Sequence, residues 1–253
     1  MHSIAQPSCV ALITGSGRNI GREIALALAA SGAAIAVNVR ASVAEGQAVV
    51  DEIVAGGGQA LLCVGDITDP QAVSAMVEKI AAEWGRLDIL VNNAAIRREA
   101  KIDQVSAQDW RDTLAVILDG AFFCTQAALP LLRQSGQGAV INIGGMTGHT
   151  GAANRVHVVT AKAGLVGLTR ALAHDLAPDG ITVNCVSPGM IDTARNAGSA
   201  SAAPKHHATH HPLLGRRGTA GEVAAQVAWL AGPSARFITG QTLHVNGGTY
   251  LGG

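Results

Sequence analysis

Thr14-Gly15-Ser16-Gly17-Arg18-Asn19-Ile20-Gly21 joins the apolar run CVALIT at 9–14 to the helical pattern REIALALAAS that starts at Arg22. A glycine-rich turn between a strand and a helix lets backbone N–H groups approach a diphosphate, whose charge the helix N-terminus favours. The reading requires that turn to follow the first strand of a chain in which strands and helices alternate. Working outward, apolar runs at 34–39, 59–65, 88–92, 138–143, 181–186 and 242–246 predict six more strands. Most are continuous rather than alternating, as expected of strands buried on both faces. Helical patterns lie between them at 20–31, 43–56, 70–84, 107–133, 155–177 and 219–231. Asp69 with Pro70 starts one helix, and Gly32 and Gly56 stop two others. The predicted fold is α/β: a doubly wound parallel sheet of the Rossmann type, in one domain over 9–253 after a tail at 1–8. Residues 190–212 break the rhythm and are expected to form a substrate-side loop.

Composition excludes several function classes. The 253 residues carry 18 Lys+Arg and 18 Asp+Glu, so the formal net charge is zero, and only 14% are charged. A balanced chain without a basic block offers no electrostatic footprint for nucleic acid or anionic lipid. No unbroken apolar run reaches the length of a membrane span, and the start, MHSIAQPS, has no signal-peptide pattern. Low surface charge favours self-association. The four cysteines, Cys9, Cys63, Cys124 and Cys185, are widely spaced and read as small buried hydrophobes in a reducing compartment. The expected location is the cytoplasm.

The second strand ends in Asn38-Val39-Arg40. An NAD site places a carboxylate there for the ribose 2′-hydroxyl, whereas a guanidinium pairs with a 2′-phosphate. With Arg40 at the strand end and Arg18 in the phosphate loop, NADP(H) is expected in preference to NAD(H).

Taken together, the motifs resemble those of the short-chain dehydrogenase/reductase family across 9–253. TGSGRNIG at 14–21 resembles its phosphate loop, with Asn19 in place of a glycine. Asp66-Ile67 resembles the pair that meets adenine, and Asn92-Asn93-Ala94-Ala95 its NNAG motif. Ser187-Pro188-Gly189 with Ile191 and Thr193 resembles the nicotinamide-side segment, and ITGQTLHVNGG the terminal strand. The resemblance implies cofactor contacts from Gly15, Ser16, Gly17, Arg18, Asn19, Ile20, Gly21, Arg40, Asp66, Ile67, Asn93, Ala94, Lys162, Pro188, Gly189, Ile191 and Thr193. It also implies a dimer or tetramer and a small-molecule substrate.

The same resemblance implies an Asn–Ser–Tyr–Lys set for proton transfer, and here the chain departs from it. Lys162 is present, but Val158 stands at the Tyr position, Gly145 at the Ser position and Ile117 at the Asn position. Tyr250 is the only tyrosine and lies far along the chain, so no local tyrosine substitutes. Candidate replacements are His149, on a loop past Gly145, and His157, beside Val158; Thr147 and Thr160 also carry hydroxyls. Neighbours on a helix point about 100° apart, so His157 is not expected to point where Val158 does. His206, His207, His210 and His211 have spacing that can bind zinc on a helix, but no acidic or thiol partner is near, and no metal is expected. Three readings follow: an NADPH-linked oxidoreductase reducing a carbonyl or imine, an isomerase or dehydratase in the same pocket, and a non-catalytic NADPH-binding protein.

Overall fold

The strand runs are short because each crosses a single sheet, and the central ones are mostly apolar because helices cover both sides. In the computed structural model, which describes residues 6–193 and 211–252, β1 (Val10–Ile13), β2 (Ala34–Val39), β3 (Ala60–Val64), β4 (Ile89–Asn92), β5 (Ala139–Ile143), β6 (Thr182–Pro188) and β9 (Thr242–Val245) form one parallel sheet. Its order is β3-β2-β1-β4-β5-β6-β9. A separate two-stranded pair, β7 (Ile191–Asp192) with β8 (Gly218–Thr219), was not expected from the sequence.

The helices are α1 (Asn19–Ala30), α2 (Val43–Ala55), α3 (Pro70–Trp84), α4 (Ala107–Leu114), α5 (Gly120–Ser135), α6 (Thr147–Thr150), α7 (Val156–Leu176) and α8 (Ala220–Ala231). Alternate residues of β1 serve opposite layers. Ala11 and Ile13 pack with Ile24 of α1, Val49 of α2 and Val227 of α8. Val10 and Leu12 pack with Ile80 of α3, Cys124 of α5 and Leu176 of α7. Each large apolar side chain buried this way contributes about 1.5–3 kcal/mol. At the foot of the sheet the Asp88 carboxylate accepts from Val10 N at 2.8 Å and from Arg86 Nε at 2.9 Å, tying β4 to β1. Burial alone would raise its pKa, but the donors Arg86, Ser135 and Val10 hold it below the usual carboxylate range.

One expectation about the helices needs correction. The helix predicted over 107–133 is interrupted by a π-helical turn, Ala115–Asp119, between α4 and α5. The segment AVILD contains no breaker, so nothing local signals it. The stretches Ala107–Ser135 and Val156–Asp179 are also long and apolar enough to cross a membrane by length and composition alone. Charged residues such as Asp112, Asp119, Lys162 and Arg170 interrupt both, so neither is an unbroken apolar run. In this fold α7 packs on β6 and on α4.

The strand order reverses between β1 and β4. In open α/β sheets the crevice beyond the strand C-termini at that switch point is where ligands bind. The loops after β1, β4, β5 and β6 border it.

Candidate cofactor and substrate cleft

The loop after β1 is shaped by close approaches. Gly15 has φ +62°, and a Cβ there would lie 3.0 Å from Ala94 Cα. A Cβ on Gly21 would lie 2.5 Å from the Gly15 carbonyl oxygen. Asn19 has φ +52°, a left-handed conformation that asparagine tolerates better than most side chains, which is why it can stand where the family has glycine. Ser16 is fully buried and its hydroxyl donates to Ile13 O at 2.8 Å, so its side chain shapes the turn. Thr14 Oγ1 accepts from the backbone N–H of Asn93 at 2.9 Å and of Ala94 at 3.1 Å. Asn93 Nδ2 donates back to Thr14 O at 2.9 Å and Gly15 O at 3.0 Å. The two loops flanking the switch point are thus stitched together.

The Arg18 side chain makes no capping hydrogen bond at α1, and the first turn holds no acid. By contrast Asp69, Ser106 and Thr219 cap α3, α4 and α8. A helix N-terminus behind a glycine cradle, with no acid in its first turn, fits a diphosphate.

At the adenosine end, Arg18 lies 3.9 Å from Glu45 and Arg40 lies 3.9 Å from Asp66, all of them well exposed. Glu45, in the first turn of α2, escaped the sequence reading. Asp66 Oδ1 also accepts from Thr68 N at 2.9 Å. The Ile67 side chain belongs to the core, where a Cβ on Gly120 would lie 2.6 Å from its Cδ1. Pro188 ends β6, Gly189 abuts Asn246, and the Ile191 side chain is buried with the α1–α8 layer. Thr193 follows β7.

At the other end, Lys162 is buried on α7 and its ammonium donates to Ile143 O at 2.5 Å. Burial, then Arg97 and Arg155, push its pKa down to about 8. Val158, one turn earlier, is buried with Ile117, Ala121, Ala161 and Leu165 in a single apolar cluster. Ile117 sits within the π turn. A Cβ on Gly145 would lie 3.9 Å from Lys162 Cγ, ordinary contact distance.

A family model described as Enoyl-(Acyl carrier protein) reductase matches residues 15–250. The chain is 40% identical over 241 residues to the 3-oxoacyl-(acyl-carrier-protein) reductase FabG of Staphylococcus aureus, covering 95% of this chain and 98% of that one. The chain belongs to the short-chain dehydrogenase/reductase family. FabG of Escherichia coli is 38% identical over 242 residues, covering 96% and 97% of the two chains. A short chain dehydrogenase from Burkholderia cenocepacia in complex with NADP superposes with a TM-score of 0.88 at 37% identity, over 96% of this chain and 98% of that one. A mutant of the Serratia marcescens short-chain dehydrogenase/reductase gives the same TM-score at 34% identity, over the same shares. Members of this family are oxidoreductases that use a nicotinamide cofactor.

The histidines of this family member sit differently from expectation. His149 lies in the one-turn helix α6 rather than on a loop. Its ring stacks on Tyr250, 5.5 Å between centroids, and meets His244 of β9 edge-on at 4.7 Å. Tyr250, judged too far along the chain to matter, is therefore brought against a candidate residue, because β9 lies beside β6. His157 is 1% exposed in the first turn of α7, and neither ring nitrogen has a partner among the described residues. Thr160 donates to Val156 O at 2.8 Å, and Thr147 is buried in α6. His206, His207 and His210 lie outside the described residues, so the tandem-histidine reading has no structural account. Among the described residues no group of three or more His, Cys, Asp or Glu could hold a metal ion.

These histidines are expected to make stability pH-dependent. Burial lowers the pKa of His149, His157 and His244; Arg170 adds to this at His149, His149 at His244, and Arg155 and Arg98 at His157, where Asp109 opposes it. The folded state favours neutral rings, while unfolded histidine takes up a proton near pH 6.5. Stability should therefore be full above about pH 6.5 and fall below it. Thermal melts between pH 7.5 and 5 should show a falling midpoint, with a shallower decline in His157→Gln; a flat profile would contradict the assignment.

Proposed function

We propose that this chain is an NADP(H)-dependent oxidoreductase that reduces a small carbonyl or imine substrate without the usual tyrosine proton donor. The carrying observation is the surroundings of Lys162. Val158 and Ile117 belong to one buried apolar cluster there, and Gly145 offers no hydroxyl. Lys162 is the residue to hold the nicotinamide ribose, with the phosphate loop on the diphosphate and Arg18 and Arg40 on a 2′-phosphate. The Burkholderia relative in complex with NADP supports that cofactor. When bound, the cofactor supplies a hydride.

A ketone accepting a hydride also needs a proton on its oxygen, and a positioned general acid is worth typically 10²–10⁴-fold. An iminium needs none. The chain should therefore turn over protonated imines at least about tenfold faster than ketones of matched size, read as substrate-dependent loss of NADPH absorbance. Product formed with no loss of NADPH would overturn this reading in favour of a non-redox enzyme, and binding without any product would favour a non-catalytic protein. The buried free thiols of Cys63, Cys124 and Cys185 support a reducing compartment such as the cytoplasm.

Self-association belongs to the same reading. In the single chain only 33% of the apolar window in Ala107–Ser135 is buried, and Phe122 is 42% exposed. A second copy is the partner we propose for this surface, within a homotetramer. Light scattering at micromolar concentration should report four chains; a monomer would refute it.

A further inference from the structure

We propose that the side chains of Ser187, His149 and His244 form a polar pocket in the wall of the cleft that takes a hydroxyl group of the substrate, and that Tyr250 positions it. The substrate class is then a hydroxyl-bearing carbonyl or imine. This rests on the redox reading above.

Strand alternation brings Ser187 to the face that α7 covers. Val183 of β6 packs in the layer that holds Leu176 of α7, so Cys185 and Ser187 on the same strand face that layer too. Ser187 stands near the C-terminal end of β6 and is fully buried. Its register partner on β9 is His244, whose side chain shares that face. The His149 ring of α6 meets His244 edge-on, 4.7 Å between centroids. Close approaches hold α6 beside the lysine: a Cβ on Gly148 would lie 3.0 Å from the Lys162 carbonyl carbon. Met146 N, at the start of α6, donates to Pro188 O at 2.9 Å. The three side chains therefore gather where α6 is fixed between Lys162 and the end of β6.

Three polar atoms here, Ser187 Oγ, His149 Nε2 and His244 Nδ1, are buried and have no hydrogen-bond partner among the described residues. Buried polar atoms of folded chains are paired in the great majority, so three orphans in one corner call for a partner from outside the chain. A neutral imidazole offers one donor and one acceptor, and a serine hydroxyl offers both. A substrate hydroxyl, which also donates and accepts, matches all three. Tyr250 holds the rings in place. Its own ring stacks on His149 at 5.5 Å and meets His244 at 5.0 Å. The turn that delivers it is built on buried Asn246, whose Nδ2 donates to Tyr250 O at 2.8 Å and whose Oδ1 accepts from Gly248 N at 2.9 Å. Asn246 in turn abuts Gly189, where a Cβ would lie 2.7 Å from its Cα. Tyr250 thus acts on the pocket through His149 and His244.

2-Hydroxy-1-phenylethanone and 1-phenylpropan-1-one differ by a hydroxyl in place of a methyl group. Each is titrated calorimetrically into the full chain saturated with NADP⁺, which carries no hydride to transfer. The hydroxyketone should bind about tenfold tighter. Ser187→Ala should erase most of that margin, leaving binding of the methyl ketone and of NADP⁺ within about twofold of the parent. Tyr250→Ala should erase it as well, and Tyr250→Phe, which keeps the stack, should retain it. Tyr250 is the only tyrosine, so tyrosine-labelled chain gives one ring signal by NMR, and the hydroxyketone should shift it. Equal binding of the two probes, or an unmoved tyrosine signal, overturns the proposal. So do variants that weaken both probes and NADP⁺ alike, since these side chains would then only support the fold. Hydroxyl-selective binding with no NADPH-linked turnover of any substrate would leave this pocket standing and remove the redox reading. Turnover without hydroxyl preference would do the reverse.

Discussion

A Gly145→Ser, Val158→Tyr double variant is expected to reduce simple ketones with NADPH about 10²–10⁴-fold faster in kcat/KM than the parent chain. Lys162 already lies one helical turn from position 158, on the same face. At 145 a Cβ would sit 3.9 Å from Lys162 Cγ, so a serine fits without displacement. Position 158 is harder. Val158 is 3% exposed among Ile117, Ala121, Ala161 and Leu165, and a phenol ring there overpacks the cluster by about 1–3 kcal/mol. The double variant should therefore melt earlier than the parent. Ile117→Asn added to it trades a buried apolar side chain for one that can hold a relay water, and should raise the rate further. Steady-state kinetics on a ketone panel, run beside thermal melts, separates lost stability from absent chemistry. His149→Ala and His157→Ala lower ketone turnover in the parent only if that histidine has taken over as the acid. Efficient ketone reduction by the parent, untouched by either substitution, would sink the argument that proton delivery is missing.

Removing both Arg18 and Arg40 as Ala should lower the ratio of NADPH to NADH affinity by about 10²-fold. A charge-assisted hydrogen bond to an ionised partner is worth about 1.5–3 kcal/mol, or roughly tenfold or more for each guanidinium. Exposure and the nearby carboxylates of Glu45 and Asp66, each 3.9 Å from one arginine, pull the effect toward the lower end. For the same reason Glu45→Gln should sharpen the preference. Fluorescence titrations with the two cofactors in low salt give the ratio directly. Equal affinities in the unmodified chain would contradict the NADP(H) assignment.

Much of the molecule was legible without coordinates. The continuous runs at 34–39 and 138–143 were strand candidates expected to be buried on both sides, and β2 and β5 are those strands. The phosphate loop was legible for a similar reason: Gly15 and Gly21 answer to backbone clashes within a few residues and to one neighbouring loop. The absent hydroxyls at 145 and 158 were legible only through the family resemblance, whose motifs assign those positions relative to Lys162.

The remainder depends on strand order, which brings together residues far apart in the chain. The π turn at Ala115–Asp119 is a choice of backbone hydrogen bonds made by segments with ordinary helix-forming residues, so no residue type announces it. Glu45 was missed because its approach to Arg18 depends on how α2 packs beside the phosphate loop. Tyr250 reaches His149 because β9 is placed next to β6, a pairing that sequence distance hides. Ala100 and Asn154 lie far apart in the chain, yet Ala100 N donates to Asn154 O at 2.9 Å, which ties the loop after β4 to the start of α7. Periodicity and glycine placement are local properties of a chain and specify its elements. Which charges and rings meet in the cleft is a property of the assembled sheet.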